Sequence, residues 1–353
     1  MLISTADARG LVTKKLVQVY STRKAPTKMF SSFFKKVETG TLAVSIEVQR
    51  GTDIIAIDVE RGTEGNRNKF DSATEKLFTP PFFNEFFDVT EVNLYDNLFV
   101  DSYVDMDVVA KFINNIADKY MQLQDKIERS IEKLCADALE YGTIQLYDGT
   151  LIPFGRKAGS FPNAGPGNYW ANGATDPFAQ IRSDVDFVRA EAMIESPVYN
   201  LICGSQAFDD LYKNTTFLAR QDLVNLKTDN IVSPQLKAPG AYLHGSVTAG
   251  SYKVQLWTYT GQYRNKSNVL VPYMNPKKTI LLPETTDFTL AFGGIAQIAG
   301  DNNESSSLVI DKRAFSPYKL VDPRKVAIQY GLKSAPIPII TAVDTIVTRT
   351  VVA

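Results

Sequence analysis

Between positions 105 and 141 apolar residues recur every three or four places: Val109, Phe112, Ile113, Ile116, Tyr120, Leu123, Ile127, Leu134 and Ala138. That spacing puts them on one face of an α-helix. No Pro or Gly interrupts the run before Gly142, a residue suited to the left-handed position just past a helix end. Asp105 and Asp107 open it, where carboxylates accept from free amides and favour the positive end of the helix dipole. Such a helix would be about 55 Å long. Ordinary globular helices run roughly 8–20 residues, so the length needs a reason. A coiled coil is one reason, but no second heptad run exists to pair with it. The flanks are rich in strands and aromatics. The expectation is a single long helix lying across a sheet, a strut for a broad, thin subunit.

Other stretches alternate. Leu42, Val44, Ile46 and Val48 point one way, then Ile55, Ile57 and Val59, with Gly51-Thr52 between them, which reads as a hairpin. A polar stretch, RGTEGNRNKFDSATEK, follows. Pro80-Pro81 and the cluster Phe82, Phe83, Phe86 and Phe87 then return the chain to a core. A two-stranded ribbon is marginal in water by itself, so this one needs another surface to lie on. After the helix, Asp148-Gly149 between two β-rich runs signals a tight hairpin. Residues 155–176 form a Gly-, Pro- and Asn-rich loop that contains Trp170 and connects sub-domains. Asp176-Pro177 reads as the cap and first residue of a helix whose face is Phe178, Ile181, Val185, Val188 and Ala192. A strand at Tyr199–Cys203 and a short helix capped by Ser205 come next. Further strands are expected at Tyr252–Thr258, Lys278–Leu282, Leu308–Ile310, Arg324–Gln329 and within Ile337–Val352. This irregular mixture of helices and strands defines an α+β class.

Composition narrows the function. The chain has 353 residues, 44% hydrophobic and 22% charged, which is ordinary for a folded protein. No apolar run reaches the roughly 18 residues of a membrane span, and MLISTADARG has too many polar residues for a signal peptide. Cys135 and Cys203 lie in apolar contexts and read as buried thiols, which fits a reducing compartment. The net charge of −1 argues against a dedicated nucleic-acid binder. His244, in AYLHGSVTAG, is the only histidine and reads as part of a loop. A metal site usually needs two or more His or Cys, and a triad needs a nucleophile beside its His. No phosphate loop, zinc-protease helix, calcium loop or nucleophile elbow is present, and Gly165-Pro166-Gly167 is only a turn. Nothing positive supports an enzyme or a cofactor.

Charge is uneven. Residues 1–36 hold eight basic residues against Asp7 alone. Leu11, Val12, Leu16 and Val19 suggest a short amphipathic helix there, and Pro26 then breaks the arm. Phe30, Phe33 and Phe34 follow, and a free arm seldom keeps three such rings in water, so a docked arm is expected.

The order of these parts resembles the tailed-phage major capsid proteins of the lambda type, the capsid E family. It runs from the basic arm and extended hairpin through the FTPP return, the long helix and the DG hairpin ending Phe154-Gly155-Arg156. Next come the tryptophan loop leading into Asp176-Pro177 and the Val198–Gly204 strand. The Trp257–Tyr263 stretch and Ser334-Ala335-Pro336 complete it. The resemblance covers nearly the whole chain and rests on shared order, since each motif is short. It implies the Hong-Kong-97-type capsid fold: an N-terminal arm at 1–36, an E-loop at 37–93, a P-domain at 94–176 and 301–332 holding a spine helix at about 105–141, and an A-domain at 177–300 and 333–353. It implies a virion protein, assembled in the host bacterial cytoplasm. Copies would form pentamers and hexamers of an icosahedral shell around double-stranded DNA, which they contact non-specifically. Implied partners are further copies, a decoration protein, a scaffold separate from this chain, and a portal, without a membrane. The contacts between subunits are expected at Lys14, Lys15, Phe30, Phe33, Phe34, Ile55, Ile57, Arg67, Lys69 and Phe70. Some relatives join a Lys to an Asn covalently, but nothing marks Lys69 or Lys76 as reactive. An encapsulin-like compartment of the same fold, or another phage head or tail component, is the alternative.

Overall fold

The computed structural model describes residues 29–41, 44–48, 74–90, 106–146, 149–192, 196–222, 230–238, 240–299, 307–322 and 327–353. The long helix, α1, spans Met106–Tyr141; Asp105 lies outside the described residues. It stops where the sequence indicated. Gly142 has φ +64° and its amide donates to the Ala138 carbonyl at 3.1 Å, the left-handed closure that glycine allows without a Cβ clash.

α1 lies across a three-stranded antiparallel sheet ordered Ser316–Asp322, Ala327–Ser334, Phe83–Thr90. Ile116 and Tyr120 on the helix meet Phe87, Val89, Ile328 and Tyr330 on the sheet. Phe87 stacks on Tyr330 and stands edge-on to Tyr120, with centroids 5.7 and 5.6 Å apart, and each such pair adds stability beyond the buried area. The last turns of α1 enter a larger core. There Ile127, Ile131, Leu134, Cys135 and Leu139 pack with Phe288, Leu290, Phe292 and Ile337. These sheet residues belong to a second three-stranded sheet, in which Phe288–Phe292 lies between Phe34–Glu38, parallel to it, and Pro336–Ile339, antiparallel.

The remaining body is a six-stranded mixed sheet ordered Val347–Thr350, Lys278–Pro283, Val198–Cys203, Tyr252–Tyr259, Ala241–Ala249, Asn230–Ala238. Helix α2, Pro177–Ala192, buries Phe178, Ile181, Val185 and Val188 in the core beside this sheet. Asp176 accepts from the Phe178 amide at 3.0 Å, so the Asp-Pro start forms as its residue types require. Helices α3, Ser205–Lys213, and α4, Thr215–Asp222, complete this part. The tryptophan loop is tied to the last strand. The Trp170 amide donates to the Val351 carbonyl at 3.0 Å, and Trp170 Nε1 donates to Gln180 at 2.9 Å. The α+β class holds.

Several expectations need correction. Val44–Val48 pairs with Thr74–Phe78; the expected partner strand at 55–59 and the Gly51-Thr52 turn lie outside the described residues. Thr74–Lys76, read as the end of a polar stretch, is therefore strand. Phe86 is 50% exposed, because strand alternation turns it away from α1 while Phe87 turns toward it, and Phe82, just before the strand, is 56% exposed. His244 sits inside the strand Ala241–Ala249. Gly245 beside it, at φ +127°, and a register shift in the paired strand at Leu256/Trp257 broke the alternation that would have revealed that strand. The cap of α3 is Gly204, with Ser205 as first helical residue and no side-chain cap bond. Of the strand placed at Arg324–Gln329, residues 327–329 open the strand Ala327–Ser334, and 324–326 lie outside the described residues. The hairpin Thr143–Gln145 with Leu151–Pro153 forms as expected; Asp148 lies outside the described residues.

Candidate assembly interface

The residues that flank one short strand, Phe34–Glu38, are fixed to the body on both sides. On its N-terminal side a 3-10 turn, Phe30–Phe33, is seated against α1 and the sheets. Phe30 is 0% exposed and stands edge-on to Tyr259 at 4.8 Å. Phe34 is buried against Phe288 at 5.4 Å, and Phe33 packs partly on the same core. The Glu132 carboxylate accepts from the amides of Phe30 and Ser31 at 2.9 and 3.0 Å and from the Tyr259 hydroxyl at 2.9 Å. Burial, with Glu132 alongside, pushes the Tyr259 hydroxyl well above the usual phenol range, so it remains a donor.

On the other side, Thr39 donates from both its amide and its hydroxyl to the Phe292 carbonyl, each at 2.9 Å. The Gly294 amide donates to the Thr41 carbonyl at 2.8 Å. Gly293 and Gly294 make a flat platform for this exit. A Cβ on Gly294 would lie 2.7 Å from Ile310 and 2.9 Å from the Gly40 backbone, and one on Gly293 would lie 3.0 Å from Pro80. The ribbon of Val44–Val48 and Thr74–Phe78 is rooted there, and among the described residues its two strands pair only with each other. Gly294→Ala is expected to cost about 1–3 kcal/mol, because backbone cannot yield to the new methyl as a flexible side chain would. Urea titration of the unassembled subunit measures it.

The outer face of the sheet under α1 carries exposed apolar side chains among polar ones, Asn84, Asp88, Gln329 and Lys333. Phe82, Phe86 and Leu320 are 56%, 50% and 54% exposed, and Tyr318 lies beside them with its hydroxyl donating to Asn84 at 2.9 Å. The Tyr318 ring crosses Gly331, where any Cβ would collide with it. Near the ribbon root, Asp311 accepts from the Arg313 guanidinium at 2.6 Å. Burial pushes its carboxyl up, but the bonds from Arg313 and Ser316 outweigh this and hold it at about 2.

Groups that could do other chemistry are few. Among the described residues no cluster of three His, Cys, Asp or Glu could hold a metal, and no helix is long and apolar enough to cross a membrane. Cys135 and Cys203 are free and buried, and burial pushes both thiols up. His244 stacks on Phe208 at 4.0 Å and bonds Thr258 at 2.8 Å; burial lowers its pKa.

Of the residues expected between subunits, Lys14, Lys15, Ile55, Ile57, Arg67, Lys69 and Phe70 lie outside the described residues. Phe30, Phe33 and Phe34 come together, but within their own subunit. Phe30 and Phe34 are buried in the core beside Tyr259 and Phe288, and Phe33, half-buried, packs against that core. Glu132 was missed. The sequence carries little signal for it, since Glu128 and Arg129, its neighbours one turn back, make its face look like an ordinary charged one.

A long helix across a sheet, a rooted two-stranded ribbon and a separate mixed sheet form the fold of phage shell proteins. The chain aligns with one assigned as the capsid protein of a prophage in E. coli CFT073 over 97% of its own length and 99% of the other, at 14% identity and a TM-score of 0.67. A phage-related protein from Bordetella bronchiseptica RB50 aligns over 95% and 96% of the two chains, at 11% identity and a TM-score of 0.51. The capsid of cyanophage P-SCSP1u aligns over 93% and 89%, at 7% identity and a TM-score of 0.51. No curated protein sequence matches. The model of phage major capsid protein E matches residues 13–351, and the chain belongs to that family. It is a major capsid protein, a structural component of a phage shell built from many copies.

Proposed function

We propose that the chain forms pentamers and hexamers of an icosahedral head that encloses double-stranded DNA. The observation that carries this is the ribbon Val44–Val48 with Thr74–Phe78. It is rooted on the Gly293-Gly294 platform, and its strands pair only with each other among the described residues. Such a ribbon is marginal alone and gains stability on a neighbour. The exposed Phe82, Phe86 and Leu320 supply an apolar surface of the kind a neighbour covers. In this reading residues 1–36 are the arm, 37–93 the E-loop, 94–176 with 301–332 the P-domain, and 177–300 with 333–353 the A-domain. Interfaces where loop and arm overlap a neighbour bury upward of roughly 2,000 Å² per pair. Each subunit is held by several neighbours, so closed symmetry multiplies modest contacts.

The net charge of −1 suits a DNA container. A strongly basic wall would hold the packaged phosphates tightly. DNA is contacted without sequence preference, and decoration, scaffold and portal proteins complete the head in the host cytoplasm. Negative-stain microscopy of the purified protein tests the reading. Closed shells of one or a few sizes are expected; open tubes, isolated rings or a compact monomer at high concentration would overturn it.

A further inference from the structure

We propose that Glu132 is a positioning residue for shell assembly, fixing the point at which the chain before Met29 joins the body. The inference rests on the assembly reading above and goes beyond it by naming one carboxylate. Glu132 is 0% exposed. Its Oε1 accepts from the Phe30 amide and the Tyr259 hydroxyl, and its Oε2 from the Ser31 amide. One side chain on α1 thereby ties the arm root to the end of the strand Tyr252–Tyr259. Bonds to an ionised acceptor are about twice as strong as neutral ones. Buried amides left without an acceptor are costly.

The other contacts of this turn explain why the effect is directional. The Ser32 amide and hydroxyl both donate to the Met29 carbonyl, so they hold the turn's shape but not its place. Thr286 donates to the Phe33 carbonyl at 3.1 Å, and Phe34–Glu38 is held in register along Phe288–Phe292. Loss of the carboxylate therefore loosens Met29–Ser32, while Thr286 holds Phe33 and the strand stays in place. The pivot of the arm moves from Met29 to Phe33. The arm gains the four residues Met29–Ser32 as reach and loses its fixed departure; the body gives up the burial of Met29 and Phe30 when the turn opens and keeps the rest of its core.

The test uses Glu132→Gln and Tyr259→Phe in the full chain. Gln keeps the volume but turns an N–H₂ donor toward a backbone donor. Phe removes the sheet-side bond and leaves both amide bonds. On unassembled protein, trypsin is used to follow cleavage of Lys28–Met29, relative to total digestion, by mass spectrometry of the new N-terminus. Met29 is 4% exposed and Phe30 0%, so this bond is cut when the turn opens. E132Q is expected to raise the relative rate about ten-fold, the equivalent of one lost charge-assisted bond, and Y259F less than about three-fold. Closed particles should be lost in E132Q and kept in Y259F. Equal cleavage in wild type and E132Q, closed E132Q shells, or loss of both effects equally in Y259F would overturn the proposal. A wild type that closes no shells while E132Q still opens faster would instead remove the assembly reading and leave the anchor standing.

Discussion

Arg349→Ala is expected to lower the stability of the subunit by about 3–5 kcal/mol, the usual cost of removing one partner from a buried ion pair. Arg349 Nε donates to both oxygens of Asp184, at 3.1 and 2.9 Å, and its terminal nitrogen donates again to Oδ1. The two side chains are 11% and 5% exposed. The pair joins α2 to the edge strand Val347–Thr350 of the six-stranded sheet. Burial pushes the Asp184 carboxyl up, and Arg349 pulls it down. With the guanidinium gone, only the upward push remains. A carboxyl whose pKa is raised by folding binds its proton more tightly in the folded state, so stability falls as pH rises from the unfolded value toward the folded one. The variant should accordingly recover stability as pH drops from 7 toward 5. Adding Asp184→Asn should restore part of the loss at pH 7. Denaturant melts at both pH values measure it, and a pH-independent deficit that D184N does not relieve would refute the account.

Replacing residues 49–73 with a short Gly-Asn turn is expected to leave the subunit folded and to abolish closed particles, with a drop in yield of about 100-fold or more. The reasoning is one of avidity. Joining a second contact to a first raises the combined affinity by roughly 10²–10⁴, and if residues 49–73 make the proposed E-loop contact, their removal gives that factor up at each neighbour. The strands Val44–Val48 and Thr74–Phe78 and their root at Thr39, Thr41 and Gly294 are retained, so the melting temperature should stay within a few degrees of wild type. Calorimetry of the unassembled subunit and particle counts by microscopy separate the two effects. Normal shells from the shortened chain would show that the ribbon tip is not an assembly element.

What could be read from the sequence divides by range. α1 was legible because 36 residues of helical period dominate any local noise and because Gly142 marks the end. The Asp176-Pro177 start of α2 was legible for the same local reason. The pairing of Phe34–Glu38 with Phe288–Phe292 was not, since a parallel pair across about 250 positions leaves no turn signal in either segment. FKKVE therefore looked like a basic arm. The four phenylalanines at 82–87 revealed a core contact but not which of them make it, because alternation assigns faces only once the strand's start is known. Glu132 meets partners 102 and 127 positions away, which a helical pattern alone cannot foresee.

The strand Phe34–Glu38 has one further consequence. It is the strand part of the spacer that follows the turn Phe30–Phe33, and its five residues are locked step for step beside Phe288–Phe292. A single residue inserted within it would turn Phe34 outward and carry Lys35 into the core, and it would also shift one exit relative to the other by about 3.3 Å. Engineers grafting peptides onto this tile should regard that spacer as an invariant ruler and place their insertions elsewhere.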